Sequence, residues 1–337
     1  MTTHRLRDVA LGLLIAMVIL VLAGELIVRL FGHTLPYQPD DALGWRPKAH
    51  FDAQITVHDA GGQATVVDHR TGVHGFRAFG DPSGTRKRFL FVGDSFTADP
   101  ATRAEDAYFG IVGQRLPVEV FAIGGGGYGT LQAWMLIEPL LPLVRPDVLV
   151  LQYCINDLTD NSYALESRLS HVRNQKNLRP YLVGDATVYR LPPYHPYRVL
   201  LNHSRLFRKL DLELMKLQYR FDDPTAVPPE LAATVAAERA ESVALTTRLM
   251  ARIVAAMPEG AQALSISCNT TDPDESALWQ GMARDAGLQP LPSVSGQVEA
   301  AERGGTTVRL IDGFHWNRAG HRLAGEELSR RLEDLSR

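Results

Sequence analysis

From about residue 88 onward, short runs of β-branched and aromatic residues alternate with helix-length stretches, and this alternation constrains the fold more than any other feature. Strands are expected at residues 89–92, 118–123, 148–153 and 263–267, with a weaker one at 308–311. Between them lie helical stretches at 106–116, 131–137 and 231–257, the last with apolar residues at Leu231, Val235, Leu245, Leu249 and Ile253. Strands separated by helices form a parallel sheet, so the expectation is an α/β domain on a five-stranded parallel sheet. In such sheets ligands bind beyond the carboxyl ends of the strands, and four of the five candidates end in a polar or Gly-rich loop.

The chain before this domain divides in two. Residues 9–24 carry no charge, and apolar character resumes through Leu26, Ile27, Val28, Leu30 and Phe31. About twenty apolar residues cross a bilayer core, so the stretch spans one if Glu25 and Arg29, four apart on one helix face, pair near the far interface. Arg5 and Arg7 precede it, which by the positive-inside rule keeps the N-terminus cytoplasmic and places the rest outside. The competing reading is a signal peptide cleaved after Ala23. The expectation is a single-pass inner-membrane protein with residues 1–31 as cytoplasmic N-terminus and anchor. Residues 32–87, rich in Gly, Pro, Asp and His, read as a linker and an irregular or hairpin-like extension. Residues 88–337 form the main domain, interrupted at 161–229 by an insertion too long for a plain connection.

A net charge of −3 leaves no electrostatic footprint for nucleic acid, and no metal-ligand cluster or cofactor motif is visible. The chemistry-bearing residues sit where the strands end. The first strand runs into Gly93-Asp94-Ser95, a serine at a strand-to-helix turn; alone, this is more often a cap than a nucleophile. Near the far end, Asp312 and His315 stand three residues apart, so the carboxylate can hold the imidazole that a serine needs as base. His321 is a weaker alternative, falling inside the next helix. Residues 124–129 (GGGGYG) offer backbone donors after the second strand, and the third runs into Asn156, whose carboxamide is a neutral donor.

These blocks, in this order, resemble the SGNH/GDSL hydrolase superfamily. The resemblance implies a flavodoxin-like three-layer α/β/α fold, Ser95 as nucleophile, Asp312 and His315 completing a triad, and an oxyanion hole from Ser95, Gly127 and Asn156. It extends to Leu43-Gly44-Trp45, to residues 74–77 (HGFR) and to residues 317–321 (NRAGH), which are similar to envelope-associated bacterial members. Phe96 stands where the name-giving motif has Leu, Ala122 where many members have Asn, and Cys154 where the third block has Gly. With the superfamily's strand order, Cys154 and Cys268 would end neighbouring strands. Two buried thiols are expected rather than a bridge, because a disulfide there must satisfy narrow geometry.

The resemblance implies an ester hydrolase or O-acyltransferase needing no cofactor or metal, and an extracytoplasmic site makes O-acyl groups of envelope polysaccharide the expected substrate. A lipase or thioesterase, or a non-catalytic glycan-binding module, is the alternative. In the insertion, Arg168, Arg173, Lys176 and Arg179, with Tyr181, Tyr189, Tyr194 and Tyr197, suit an anionic or sugar-rich chain.

Overall fold

A computed structural model describes residues 2–32, 35–169, 175–218, 229–269 and 271–337. Its first element is the helix α1 (Thr2–Phe31), long and apolar enough to cross a membrane by length and composition, with side chains such as Leu13, Leu20 and Leu22 exposed. Two antiparallel hairpins follow, β1 (Tyr37–Asp40) with β2 (Gly44–Pro47) and β3 (Asp52–His58) with β4 (Ala64–Arg70). The extension is therefore largely β-hairpin. Strand β5 (Ala78–Phe79) then joins the edge of the central sheet.

The central domain begins at β6 (Arg88–Gly93), continues through the short α2 (Ser95–Ala98) and α3 (Tyr108–Arg115) to β7 (Glu119–Gly124), and through α4 (Thr130–Ile137) and α5 (Leu141–Val144) to β8 (Val148–Tyr153). Helix α6 (Asn156–Asn161) leaves the sheet. The segment after it folds as α7 (Tyr163–Leu169), α8 (Gln175–Leu178), a hairpin of β9 (Pro180–Val183) and β10 (Ala186–Tyr189), α9 (Pro196–His203) and α10 (Arg205–Gln218). The chain returns through α11 (Ala232–Ala255), β11 (Gln262–Ser267), α12 (Pro273–Asp285), β12 (Gln289–Pro290), α13 (Ser293–Arg303) and α14 (Arg318–Leu332).

Six strands pair in the order β12-β11-β8-β6-β7-β5, all parallel except β5. Counted among the parallel strands alone this is 2-1-3-4-5, a doubly wound order whose switch point lies between β6 and β8. The sheet thus differs from the expectation in two ways: it has a sixth, antiparallel edge strand, and its fifth parallel strand is β12. Residues 308–311 make only isolated bridges, Leu310 with Asp59 and Arg309 with Trp316. The edge beside β11 is taken by β12, so this run pairs only through those bridges and leads directly into the loop carrying Asp312 and His315.

The strand sequences explain the layers. In β6, Leu90 and Val92 pack with Phe121, Ile123, Leu149 and Leu151 under α4, α11 and α12, while Phe89 and Phe91 pack with Val148 and Val150 under α3, α13 and α14. Both faces are covered, which is why these strands read as continuous apolar runs. Burying each large side chain contributes about 1.5–3 kcal/mol.

Strands β8 and β11 align Tyr153 with Ser267, and the Cys268 N–H donates to the Tyr153 carbonyl at 3.0 Å. The register brings the next residues level, with Cα atoms of Cys154 and Cys268 5.3 Å apart, and they form a disulfide. The expected pair of thiols is overturned, because adjacent parallel strands in register supply the separation that a bridge needs. Peptide mapping without reductant should recover the 154–268 cross-link, and Cys154→Ala with Cys268→Ala should lower stability by about 2–4 kcal/mol in urea titration.

Candidate active site

The turn at Ser95 is built by close approach. Gly93 ends β6 where a Cβ would meet Gln152 Oε1 at 2.2 Å and Thr97 Oγ1 at 2.5 Å, so no larger residue fits. Asp94 caps α2 by accepting the Phe96 N–H at 3.0 Å, which fixes Ser95 as the first helical residue at the carboxyl end of the strand, half-buried and facing outward. Burial pushes Asp94 up to about 6. Phe96 packs its ring 5.0 Å from that of His315 and 5.0 Å from that of Trp316, giving this departure from the motif a bracing role.

The loop between residues 308–311 and α14 brings the base. Asp312 Oδ1 accepts the N–H groups of Phe314 and His315 at 2.9 and 3.0 Å, closing a tight turn through Gly313, whose φ of +70° suits glycine. Its other oxygen meets His315 Nδ1 at 2.6 Å, and His315 Nε2 meets Ser95 Oγ at 2.8 Å. Asp312, His315 and Ser95 thus form one continuous hydrogen-bonded chain. Burial tends to raise Asp312, but the hydrogen bonds from His315 and the two amides outweigh it and hold the carboxyl below its ordinary value. The site is open: the side chains of Asp312 and His315 are 45% and 33% exposed.

His321 is elsewhere in function. It is buried, its ring stacks near-parallel on Tyr108, its Nε2 lies 3.4 Å from Asp99, and burial depresses its pKa. Asn317 caps α14 by accepting from Ala319 and Gly320, so the residues around His321 hold the helix that supports the triad loop.

Gly127 and Asn156 follow β7 and β8, the two strands flanking β6, which puts their loops on either side of Ser95. The glycine loop is gripped from outside. Tyr37 Oη accepts the Gly126 N–H at 2.9 Å, Trp45 Nε1 donates to the Gly126 carbonyl at 3.0 Å, and Tyr128 Oη donates to the Trp45 carbonyl. Gly125 N–H goes to the Gly93 carbonyl and Tyr128 N–H to that of Gly125. Among the described residues, the Gly127 N–H keeps no such partner. Asn156 opens α6 and donates from Nδ2 to Asp160 Oδ2 at 2.8 Å, which orients its carboxamide.

Sequence reasoning missed the residue that joins these two loops. Arg179, fully buried, pairs with Asp160 at 3.1 Å and Glu166 at 3.2 Å while donating to the Gly127 carbonyl at 2.8 Å and Gln132 Oε1 at 2.7 Å. Burial raises both acids, Glu166 to about 7, and the arginine opposes the rise. The four-residue spacing of Asn156 and Asp160 on one helix was a readable signal for half of this network; Arg179 itself was not. The expectation that the insertion's cations meet a ligand is corrected for Arg179, which is an internal brace, and for Arg168, which pairs with Glu238 at 2.8 Å. Tyr181 is likewise buried, and Tyr189 donates to the Ala42 carbonyl. Arg173 and the Lys176 side chain lie outside the described residues.

No family model and no curated protein matches the chain. Solved structures to which it is similar include a putative lipolytic protein of the G-D-S-L family from Desulfitobacterium hafniense, at 12% identity over 72% of this chain and 98% of that one, with a TM-score of 0.33. A lipase/acylhydrolase from Enterococcus faecalis aligns at 12% identity over 74% and 97%, with a TM-score of 0.40. A catalytic mutant of an acetylxylan esterase from Geobacillus stearothermophilus aligns at 15% identity over 75% and 96%, with a TM-score of 0.37. Likenesses this distant assign no role to any residue.

Removing Arg179 would strand two buried carboxylates, so Arg179→Met should cost about 3–5 kcal/mol in chemical denaturation. Arg168→Met, which leaves its partner Glu238 within reach of solvent, should cost far less in the same titration.

Proposed function

We propose that the chain is an SGNH-type serine esterase or acyltransferase, anchored by α1, that acts on O-acyl esters of envelope or exported polysaccharide through an acyl-enzyme. The observation that carries this reading is the unbroken chain from Asp312 through His315 to Ser95. Ser95 Oγ attacks the ester carbonyl as its proton passes to His315 Nε2, and Asp312 stabilises the imidazolium through Nδ1. The C–O bond to the alcohol then breaks, and His315 returns the proton to the departing oxygen. Water or a sugar hydroxyl, deprotonated by the same imidazole, attacks the acyl-enzyme and releases Ser95.

The tetrahedral oxyanion would be received by the N–H groups of Ser95 and Gly127 and by Asn156 Nδ2. Support comes from the arrangement of the two flanking loops: the other amides of the glycine loop are occupied, and Asp160 fixes the Asn156 carboxamide. The exposure of the Asp312 and His315 side chains supports a large substrate over a small enclosed one. Retention of α1 is supported by its helical run through Phe31, eight residues past the candidate cleavage site, with Leu26, Ile27, Leu30 and Phe31 still exposed. Arg5 and Arg7 on its N-terminal side support an extracytoplasmic domain.

A fluorophosphonate probe should label the purified protein at Ser95 and fail on Ser95→Ala; no labelling of the folded wild type would leave a binding module as the better reading. With p-nitrophenyl acetate, His315→Ala should lower turnover about 10³-fold or more, whereas His321→Ala should act through stability. Asn156→Ala should lower kcat by about 10²–10³ at nearly constant KM, and an effect confined to KM would assign Asn156 to substrate binding instead.

A further inference from the structure

Where α1 leaves the region expected in the bilayer, it packs on the start of α10, and the contact is tight and specific. The Leu206 side chain would lie 3.0 Å from a Cβ placed at Gly24, so the glycine permits the approach. Glu25 accepts from Ser204 Oγ at 2.8 Å and from the Arg205 and Leu206 amides at 3.0 and 2.9 Å, and it pairs with Arg29 at 2.7 Å. This carboxylate occupies the α10 N-terminus, and the expected Glu25–Arg29 pair becomes part of a junction between the helices.

Beside that junction, α1, the first hairpin and α10 enclose a groove of about 920 Å³. Ile27, Phe31 and Leu35 line it together with Lys48, Arg205, Arg208 and Lys209 and with the Glu25-paired Arg29; among the described residues no Asp or Glu lines the groove. Three of these cations make side-chain hydrogen bonds to neutral carbonyls only: Lys48 to that of Leu35, Arg205 to that of Arg29, and Arg208 to those of Leu201 and Asn202. Among the described residues none of the three side chains pairs with a carboxylate; only the Arg205 backbone amide meets one, that of Glu25. Burial first, and then the neighbouring arginines, hold Lys48 and Arg208 below their ordinary values, a sign that like charges are gathered without a counter-ion. On α10, Leu210, Leu214 and Leu217 are exposed at helical spacing, continuing the exposed apolar end of α1 at Leu30 and Phe31.

Basic and apolar side chains lining one groove at a bilayer boundary match one chemistry, a phosphate carried on acyl chains. We propose that this groove binds the headgroup phosphate of an anionic membrane phospholipid, with Lys48, Arg205 and Arg208 on the phosphate and Ile27, Phe31 and Leu35 against its chains. A zwitterionic headgroup fits less well, since its ammonium would enter a groove where Lys48, Arg205 and Arg208 have no carboxylate against their side chains. Occupancy would cancel the gathered charge and fix the domain's orientation on the membrane surface. The inference rests on α1 as a span, and it is independent of the triad.

The test uses the full-length protein in detergent, titrated with phosphatidylglycerol or phosphatidylcholine and read by the lipid-bound fraction in native mass spectrometry. Phosphatidylglycerol should bind in preference, Lys48→Gln should weaken it about fivefold, and Lys48→Ala with Arg205→Ala and Arg208→Ala about 100-fold, at roughly one surface cation's worth each. Lys48→Gln removes a partly exposed side chain and keeps the test valid if the triple variant misfolds. Equal binding of the two lipids, or no change in Lys48→Gln, would overturn the proposal. Displacement of the lipid by low-millimolar inorganic phosphate would overturn it in favour of a soluble phosphate ligand. Alkaline carbonate extraction reports on the span separately: a chain that is extracted yet still selects phosphatidylglycerol loses the anchor and keeps the groove.

Discussion

The three central strands are buried on both faces, and this constraint shapes everything around them. A strand such as β6, with Phe89 and Phe91 committed to one layer and Leu90 and Val92 to the other, has no side-chain position left for polar chemistry between Arg88 at its start and its carboxyl end. Polar groups are displaced to its carboxyl end, where the chain must turn. There Gly93 admits Gln152 and Thr97 into contact with the backbone, and Ser95 emerges as the first free side chain. Because β7 and β8 are the immediate neighbours of β6, their end loops flank the serine.

The loops around Ser95 are irregular backbone, and what fixes them comes from outside the parallel sheet. The hairpin of β1 and β2 grips Gly126 through Tyr37 and Trp45, and Arg179 reaches from the long segment after α6 to the Gly127 carbonyl and to Asp160 beneath Asn156. A buried arginine shared by two acids and a carbonyl is costly to desolvate, and such a group is tolerable only when its donors are satisfied in a fixed geometry. The same rigidity couples the two candidate oxyanion donors to one side chain. The N-terminal extension and the insertion are thus supports of the site as much as coverings of the sheet.

Much of this was readable in the linear chain because it is local. Helix and strand periodicity located the four long parallel strands, and the three-residue spacing of Asp312 and His315 implied the contact that is observed, since a turn closes that distance whatever the fold. The fifth strand was misplaced because two residues, Gln289 and Pro290, carry no periodic signal, while residues 308–311 carry one and pair only by isolated bridges. Arg179 was read as a ligand-facing cation because charge run and composition report side-chain chemistry, not direction.

The sequence by itself determined the layering, the apolar N-terminal helix and the identity of the groups at the strand ends, because each follows from neighbours within a few positions. Only the tertiary structure decided that Cys154 and Cys268 are joined, that the loop carrying His315 lands within hydrogen-bond reach of Ser95, and that Arg179 is buried against Asp160 and Glu166. Those outcomes depend on strand register, on which loop lands above β6, and on which carboxylates share a cavity. Such distances are set between residues far apart in the chain, where spacing carries no information and packing alone chooses.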